Sequence, residues 1–143
     1  MPPAAAPPLV LIAEDNADTR EMYAEYLGAV GYRVETARDG QEAVLKTHRL
    51  RPDAVVMDLV MPRLDGLAAV SALQNDARTA AIPVIILTGH DLKQHLKRAA
   101  ISAGAVSYLM KPCLPEVLER EVASRISARL DAASRASRRA SSE

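Results

Sequence analysis

Apolar positions along this chain fall into two alternating textures. LVLIA (9–13), AVVMD (54–58) and PVIILTG (83–89) are short and almost continuously apolar, the pattern of strands covered on both faces. Residues 32–37, YRVETA, alternate polar with apolar, and AVSYLM (105–110) is mixed, so both read as strands with one face less covered. Between these runs the spacing turns helical. Met22, Tyr23, Tyr26, Leu27 and Val30 recur on one helix face and stop at Gly31, a helix terminator. Asp39-Gly-Gln-Glu42 carries a cap followed three residues later by glutamate, and Ala43, Val44, Leu45 and Leu50 continue it as an apolar stripe. Further helices are predicted from about Gly66 to Asn75, from about Asp91 to near Gly104, and from Leu114 or Pro115 onward.

Five strand-helix units in strict alternation predict an α/β fold with a parallel sheet and right-handed crossovers. The apolar runs 1, 3 and 4 belong inside the sheet and the mixed runs 2 and 5 at its edges. That is the flavodoxin-like, doubly wound order 2-1-3-4-5, five strands and five helices. MPPAAAPP (1–8) has nothing to bury and is expected to be a disordered lead-in. The folded domain is expected over 9–130. Residues 131–143 contain no large apolar side chain, so a helix extension or a disordered, solvated tail is expected there.

Composition narrows the function classes. A chain of 143 residues with 49% hydrophobic and 25% charged residues is long enough for one domain with a real core. Its 18 basic and 18 acidic side chains balance, which gives no global pull toward nucleic acid or anionic lipid. The single Cys113 excludes an internal disulfide framework and, alone, a cysteine-rich zinc site. No apolar run is long enough to span a bilayer and the N-terminus lacks the basic start of a signal peptide, so no membrane association and a cytoplasmic location are expected.

In an open parallel sheet, ligands bind beyond the carboxyl ends of the strands. Here those ends are polar: Glu14 and Asp15 after strand 1, Asp58 at strand 3, Thr88 at strand 4 and Lys111 after strand 5. Three converging carboxylates repel one another unless a cation joins them, and an all-oxygen set selects a hard ion such as Mg²⁺. Lys111 adds a fixed positive charge, Thr88 a hydroxyl donor and Gly89 open space, together a holder for a phosphoryl group. Asp58, central among them, is the candidate nucleophile.

The four motifs AEDN (13–16), MDLVMPRLDG (57–66), ILTG (86–89) and YLMKP (108–112), in this order, resemble the receiver domain of two-component response regulators over roughly residues 9–130. The resemblance implies that Asp58 accepts a phosphoryl group from a histidine kinase or a histidine phosphotransfer protein. It implies Mg²⁺ held by Asp15, Asp58 and the backbone carbonyl of Val60, with Glu14 assisting through water. Lys111 and Thr88 would contact the phosphoryl oxygens, Tyr108 would be the switch aromatic that turns inward with Thr88, and the Lys111–Pro112 bond would be cis. Val60 and His90 stand at the two positions that flank the route of the hydrolytic water in this family, where Val60 replaces the more usual polar residue. Cys113 replaces a common aromatic.

With no room for an output module, a stand-alone receiver is expected to act by protein contact. Its target would be a downstream protein or its own copy, through helix 4, strand 5 and helix 5, where Lys93, Lys97 and Arg98 could oppose Glu116, Glu119 and Glu121. Direct DNA binding is not expected, since the terminal arginines lack a folded reading element. His48, His90 and His95 read as solvated or capping residues. An aspartate-nucleophile phosphatase acting on small phosphoesters is the competing reading, but its acid/base aspartate would occupy the position of Val60.

Overall fold

A computed structural model describes residues 6–61, 63, 65–89 and 94–142, without the side chains of residues 94, 95, 141 and 142. The chain alternates β1 (Leu9–Ala13), α1 (Ala17–Val30), β2 (Arg33–Ala37), α2 (Gly40–Leu50), β3 (Ala54–Met57), α3 (Gly66–Gln74), β4 (Val84–Gly89), α4 (Gln94–Ala103), β5 (Ser107–Lys111) and α5 (Pro115–Ser142). The strands form one parallel sheet in the order β2-β1-β3-β4-β5. β1, β3 and most of β4 are buried throughout while β2 and β5 are partly open, as the residue textures require.

Side chains alternate across the sheet and divide the core in two. Leu11, Ala13, Val55, Met57, Val84 and Ile86 point to the face covered by α2, α3 and α4. Val10, Ile12, Ala54, Val56, Ile85 and Leu87 point to the other, where Tyr23 and Leu27 of α1 and Leu118, Val122 and Ile126 of α5 cover them. Each of the first three helices is capped at its start by a polar side chain: Asn16 accepts from Thr19 N–H, Asp39 from Glu42 N–H and Asp65 from Ala68 N–H. Gly31 ends α1 at φ 123°, a backbone conformation that a side chain would strain.

Two expectations are modified and one left open is decided. Strand 5 runs from Ser107 to Lys111 rather than from Ala105, because Ala105 N–H returns to Ala100 and closes the end of α4. Part of the lead-in is anchored: the carbonyls of Pro7 and Pro8 accept from the Arg33 guanidinium and backbone N–H. Of the two outcomes expected after residue 130, the described residues take the helix extension, and α5 continues to Ser142. Alanine and arginine favour helix strongly enough to extend one already started by packing. Residues 1–5, and with them most of the lead-in, lie outside the described residues, as do His90 and Lys93.

Candidate active site

β1, β3, β4 and β5 all end on one edge of the sheet, and the register sets their last residues side by side: Ala13 pairs with Met57, and Gly89 with Lys111. The next residue on β3 is Asp58, whose N–H still bonds to Ala13 O at 3.1 Å. The backbone that carries its carboxylate is therefore held by the sheet. Asp58 Oδ1 accepts from Thr88 Oγ1 at 2.9 Å and from Val60 N–H at 3.0 Å. Asp58 Oδ2 accepts from Lys111 Nζ at 3.1 Å, and the same ammonium donates to Glu14 Oε1 at 2.8 Å. Glu14 and Asp58 are buried, Thr88 fully so, and Asp15 is exposed beside them. The Lys111–Pro112 bond is cis.

The electrostatics follow from crowding two carboxylates around one ammonium. Burial, together with the neighbouring Asp58, pushes the Glu14 carboxyl from the ordinary 4.5 up to about 7. Burial opposes ionisation of Asp58 as well, but bonds from Glu14, the Val60 N–H and Lys111 outweigh it and hold Asp58 below the usual aspartate value. Of the two, Glu14 is the carboxyl that protonates more readily and Asp58 the one that ionises more readily. Lys111, despite burial, is raised by its two carboxylate partners and stays charged.

One carboxylate oxygen each from Glu14, Asp15 and Asp58 lies within 4.8 Å of the others. Opposed oxygens on Mg²⁺ stand about 4.2 Å apart, so this set fits a hard cation bound directly by some carboxylates and through water by another. Exposed Asp15 leaves a route in from solvent.

Two supporting residues escaped the sequence reading. Arg20 Nη1 donates to the carbonyls of Glu14 at 2.9 Å and Asp15 at 3.3 Å, locking the acidic turn. An arginine close to a helix N-terminus opposes the helix dipole, and that oddity was its only sequence signal. Gly66 lets α3 approach the site: a Cβ there would lie 2.0 Å from Asp58 O and 2.6 Å from Leu59 Cα. Its N–H bonds to Leu59 O at 3.1 Å, closing the turn that carries Asp58.

Tyr108 is half-buried on β5 and packs on the α4 side of the core, with Lys97 Nζ 5.1 Å from its ring centroid. The expected acidic row on α5 divides. Glu119 accepts from Tyr32 Oη at 3.1 Å, on the α1 side, and Glu121 pairs with Arg125 at 2.8 Å within α5. Both are already engaged within the chain. His48 Nε2 stands 3.7 Å from Asp76, far from this edge.

The response regulator receiver domain family matches residues 10–123. The chain is 44% identical over 110 residues to the transcriptional regulatory protein PdtaR of Mycobacterium tuberculosis, covering 76% of this chain and 52% of that protein. It is 40% identical over 115 residues to the response regulator MprA of Mycolicibacterium vanbaalenii, covering 80% and 48%. The chain thus spans about half the length of the curated relatives it matches. Among solved structures, the Vibrio cholerae chemotaxis protein CheY4 superposes with a TM-score of 0.77 at 31% identity, covering 83% of this chain and 98% of that one. The receiver domain of the Pseudomonas aeruginosa sensor histidine kinase PA1611, solved with magnesium coordinated in its active-site cleft, superposes with 0.78 at 33% identity, covering 85% and 99%. Receiver domains are signalling modules of phosphorylation-based two-component systems, working between histidine kinases and downstream effectors. No helix among the described residues is long and apolar enough to cross a membrane. On the extent of these matches, the chain belongs to the response regulator receiver domain family.

Proposed function

We propose that this chain is a Mg²⁺-dependent phosphoacceptor in which Asp58 takes a phosphoryl group from a phosphohistidine of a histidine kinase or histidine phosphotransfer protein. The observation that carries the reading is the holding of Asp58 by Thr88, the Val60 N–H and Lys111, beside an oxygen-only cluster fit for a divalent cation. In the transfer, an Asp58 carboxylate oxygen forms a bond to phosphorus as the P–N bond to the donor imidazole breaks. The carboxylate's depressed pKa keeps it ionised for that attack. Lys111 and Thr88, now directed at the carboxylate, would turn to the phosphoryl oxygens, and the backbone N–H groups at the end of β3 add to them. Mg²⁺, held by Asp15, Asp58 and the Val60 carbonyl with help from Glu14, would supply charge neutralisation between the two anions.

Thr88 and Tyr108 form the switch in this reading. Drawing the Thr88 hydroxyl from Asp58 to the phosphoryl group changes the space on the inner side of Tyr108, and the ring exchanges its place beside Lys97 for an inward one. The face of α4, β5 and α5 would report that change to a downstream protein or to a second copy in the cytoplasm. The apolar Val60 side chain, 62% exposed at the mouth of the site, offers no proton to a leaving alkoxide, which disfavours a small-molecule phosphatase. The test is transfer of labelled phosphoryl from a panel of phosphorylated histidine kinases. Rapid, Mg²⁺-requiring labelling by at least one donor is expected; labelling unaffected by EDTA would contradict the reading.

A further inference from the structure

The three carboxylates that would hold Mg²⁺ are not secured alike. Lys111 Nζ bonds Glu14 at 2.8 Å and Asp58 at 3.1 Å, so both are fixed through their carboxylates. Asp15 is exposed, and its direction is set by the backbone on either side of it. The Glu14 carbonyl belongs to the peptide plane before Asp15 Cα, and the Asp15 carbonyl to the plane after it. Arg20 Nη1 donates to both, at 2.9 and 3.3 Å. With the two planes held, the backbone dihedrals of Asp15 are held, and so is the Cα–Cβ bond that aims its carboxylate. Carbonyl oxygens that converge on one point repel each other, so the turn keeps this shape only while a donor sits between them. Helical side chains lean toward the N-terminus, which carries Arg20 back over the turn that precedes α1. Its own N–H bonds to Asn16 O at 2.9 Å, and Tyr23 and Leu27 pack the same helix against the sheet, so the guanidinium works from a rigid base.

Charge alone would not place an arginine here. A guanidinium at this end of α1 faces the positive end of the helix dipole and repels a divalent cation in the neighbouring cluster. The acid Asp18, in the first turn, is the kind of residue the dipole favours. Hydrogen bonds from a charged donor to two carbonyls offset both penalties. We propose that Arg20 is a positioning residue for Mg²⁺, setting the affinity of the site by fixing the Glu14-Asp15 turn. The inference rests on the reading of the carboxylate cluster as a Mg²⁺ site. Groups that orient metal ligands from behind typically govern affinity by about 10–100-fold. Positioning and charge act here in opposite directions, which separates them. Loss of the charge alone would tighten Mg²⁺ binding, whereas loss of the positioning bonds weakens it.

Isothermal titration calorimetry of the full chain with magnesium chloride tests this, at low salt and above the Glu14 value of about 7 so that the cluster is ionised. The neutral variant Arg20→Met should bind Mg²⁺ at least about tenfold more weakly than the wild type while keeping the native circular dichroism spectrum. Arg20→Lys retains the charge and a donor, and should recover part of that loss. Urea denaturation in EDTA adds the comparison that a merely structural role would meet: lower stability of the metal-free variant with an unchanged calorimetric affinity of its folded form. That pattern, Mg²⁺ bound by Arg20→Met as tightly as by the wild type or more tightly, or a loss that Arg20→Lys does not reduce, would overturn the proposal. A wild type that takes up no Mg²⁺ in the same titration would remove the metal site itself, and the proposal with it.

Discussion

Glu14 offers a direct measure of what the carboxylate cluster costs the fold. It is 5% exposed, and its carboxyl is raised from 4.5 to about 7 by burial and by Asp58. Between those values the folded protein keeps a proton on Glu14 that the unfolded chain has released, so this stabilisation is complete below about pH 4.5 and is lost as pH rises through about 7. The loss amounts to about 3 kcal/mol for a displacement of that size. Asp58 acts in the opposite sense and in another window: its carboxyl is lowered from 3.8, so its contribution is present above that value and fades only on stronger acidification. Glu14→Gln keeps a neutral, hydrogen-bonding side chain at every pH. In EDTA, urea denaturation of wild type between pH 4.5 and 8 should show stability declining relative to Glu14→Gln by about 3 kcal/mol. Saturating Mg²⁺ should restore the wild type at pH 8, by about 2.7 kcal/mol at a hundred times its dissociation constant. Parallel pH profiles for the two proteins in EDTA would refute the assignment of a buried proton to Glu14.

Gly66→Ala should destabilise the protein by about 1–3 kcal/mol in urea melts and slow labelling by acetyl phosphate, because its Cβ would meet backbone atoms of the Asp58 turn rather than a movable side chain. Leu118→Ala, on the fully buried face of α5, should cost about 2–5 kcal/mol by the same measurement while leaving the labelling stoichiometry intact. A structure with a beryllofluoride mimic at Asp58 should show the Tyr108 ring leaving Lys97, and in Thr88→Ala the ring should stay; an unmoved ring in the wild type would break the proposed coupling.

The fold was legible because each strand declared its cover. LVLIA and AVVM are apolar at every position and are buried at every position, whereas RVETA alternates and lies at an edge. The polar residues after those strands were legible as a cluster for the same reason, since parallel strands deliver their ends to one edge, and Glu14, Asp58, Thr88 and Lys111 do meet there. What stayed hidden depends on approach in three dimensions. Nothing in the residue pattern announces that Arg20 reaches back to two carbonyls, or that Gly66 sits against the Asp58 backbone. The acidic run on α5 likewise suggested one charged face, but helical geometry turns Glu119 toward Tyr32 while Glu121 pairs along the helix with Arg125. Whether residues 131–143 extend the helix or form a disordered tail stayed open in the sequence because isolated propensity is weak, while a helix already nucleated by Leu118, Val122 and Ile126 needs only propagation.

The central claim is that Asp58 is the phosphoryl acceptor. Its most direct test is labelling of the wild type and Asp58→Asn from acetyl phosphate with Mg²⁺, followed by borohydride reduction and mass-spectrometric mapping of the modified residue. The account predicts one acyl phosphate per chain, placed at Asp58, requiring Mg²⁺ and absent from the variant. Labelling that persists in Asp58→Asn, or that maps to Asp15 or Glu14 in the wild type, would contradict it.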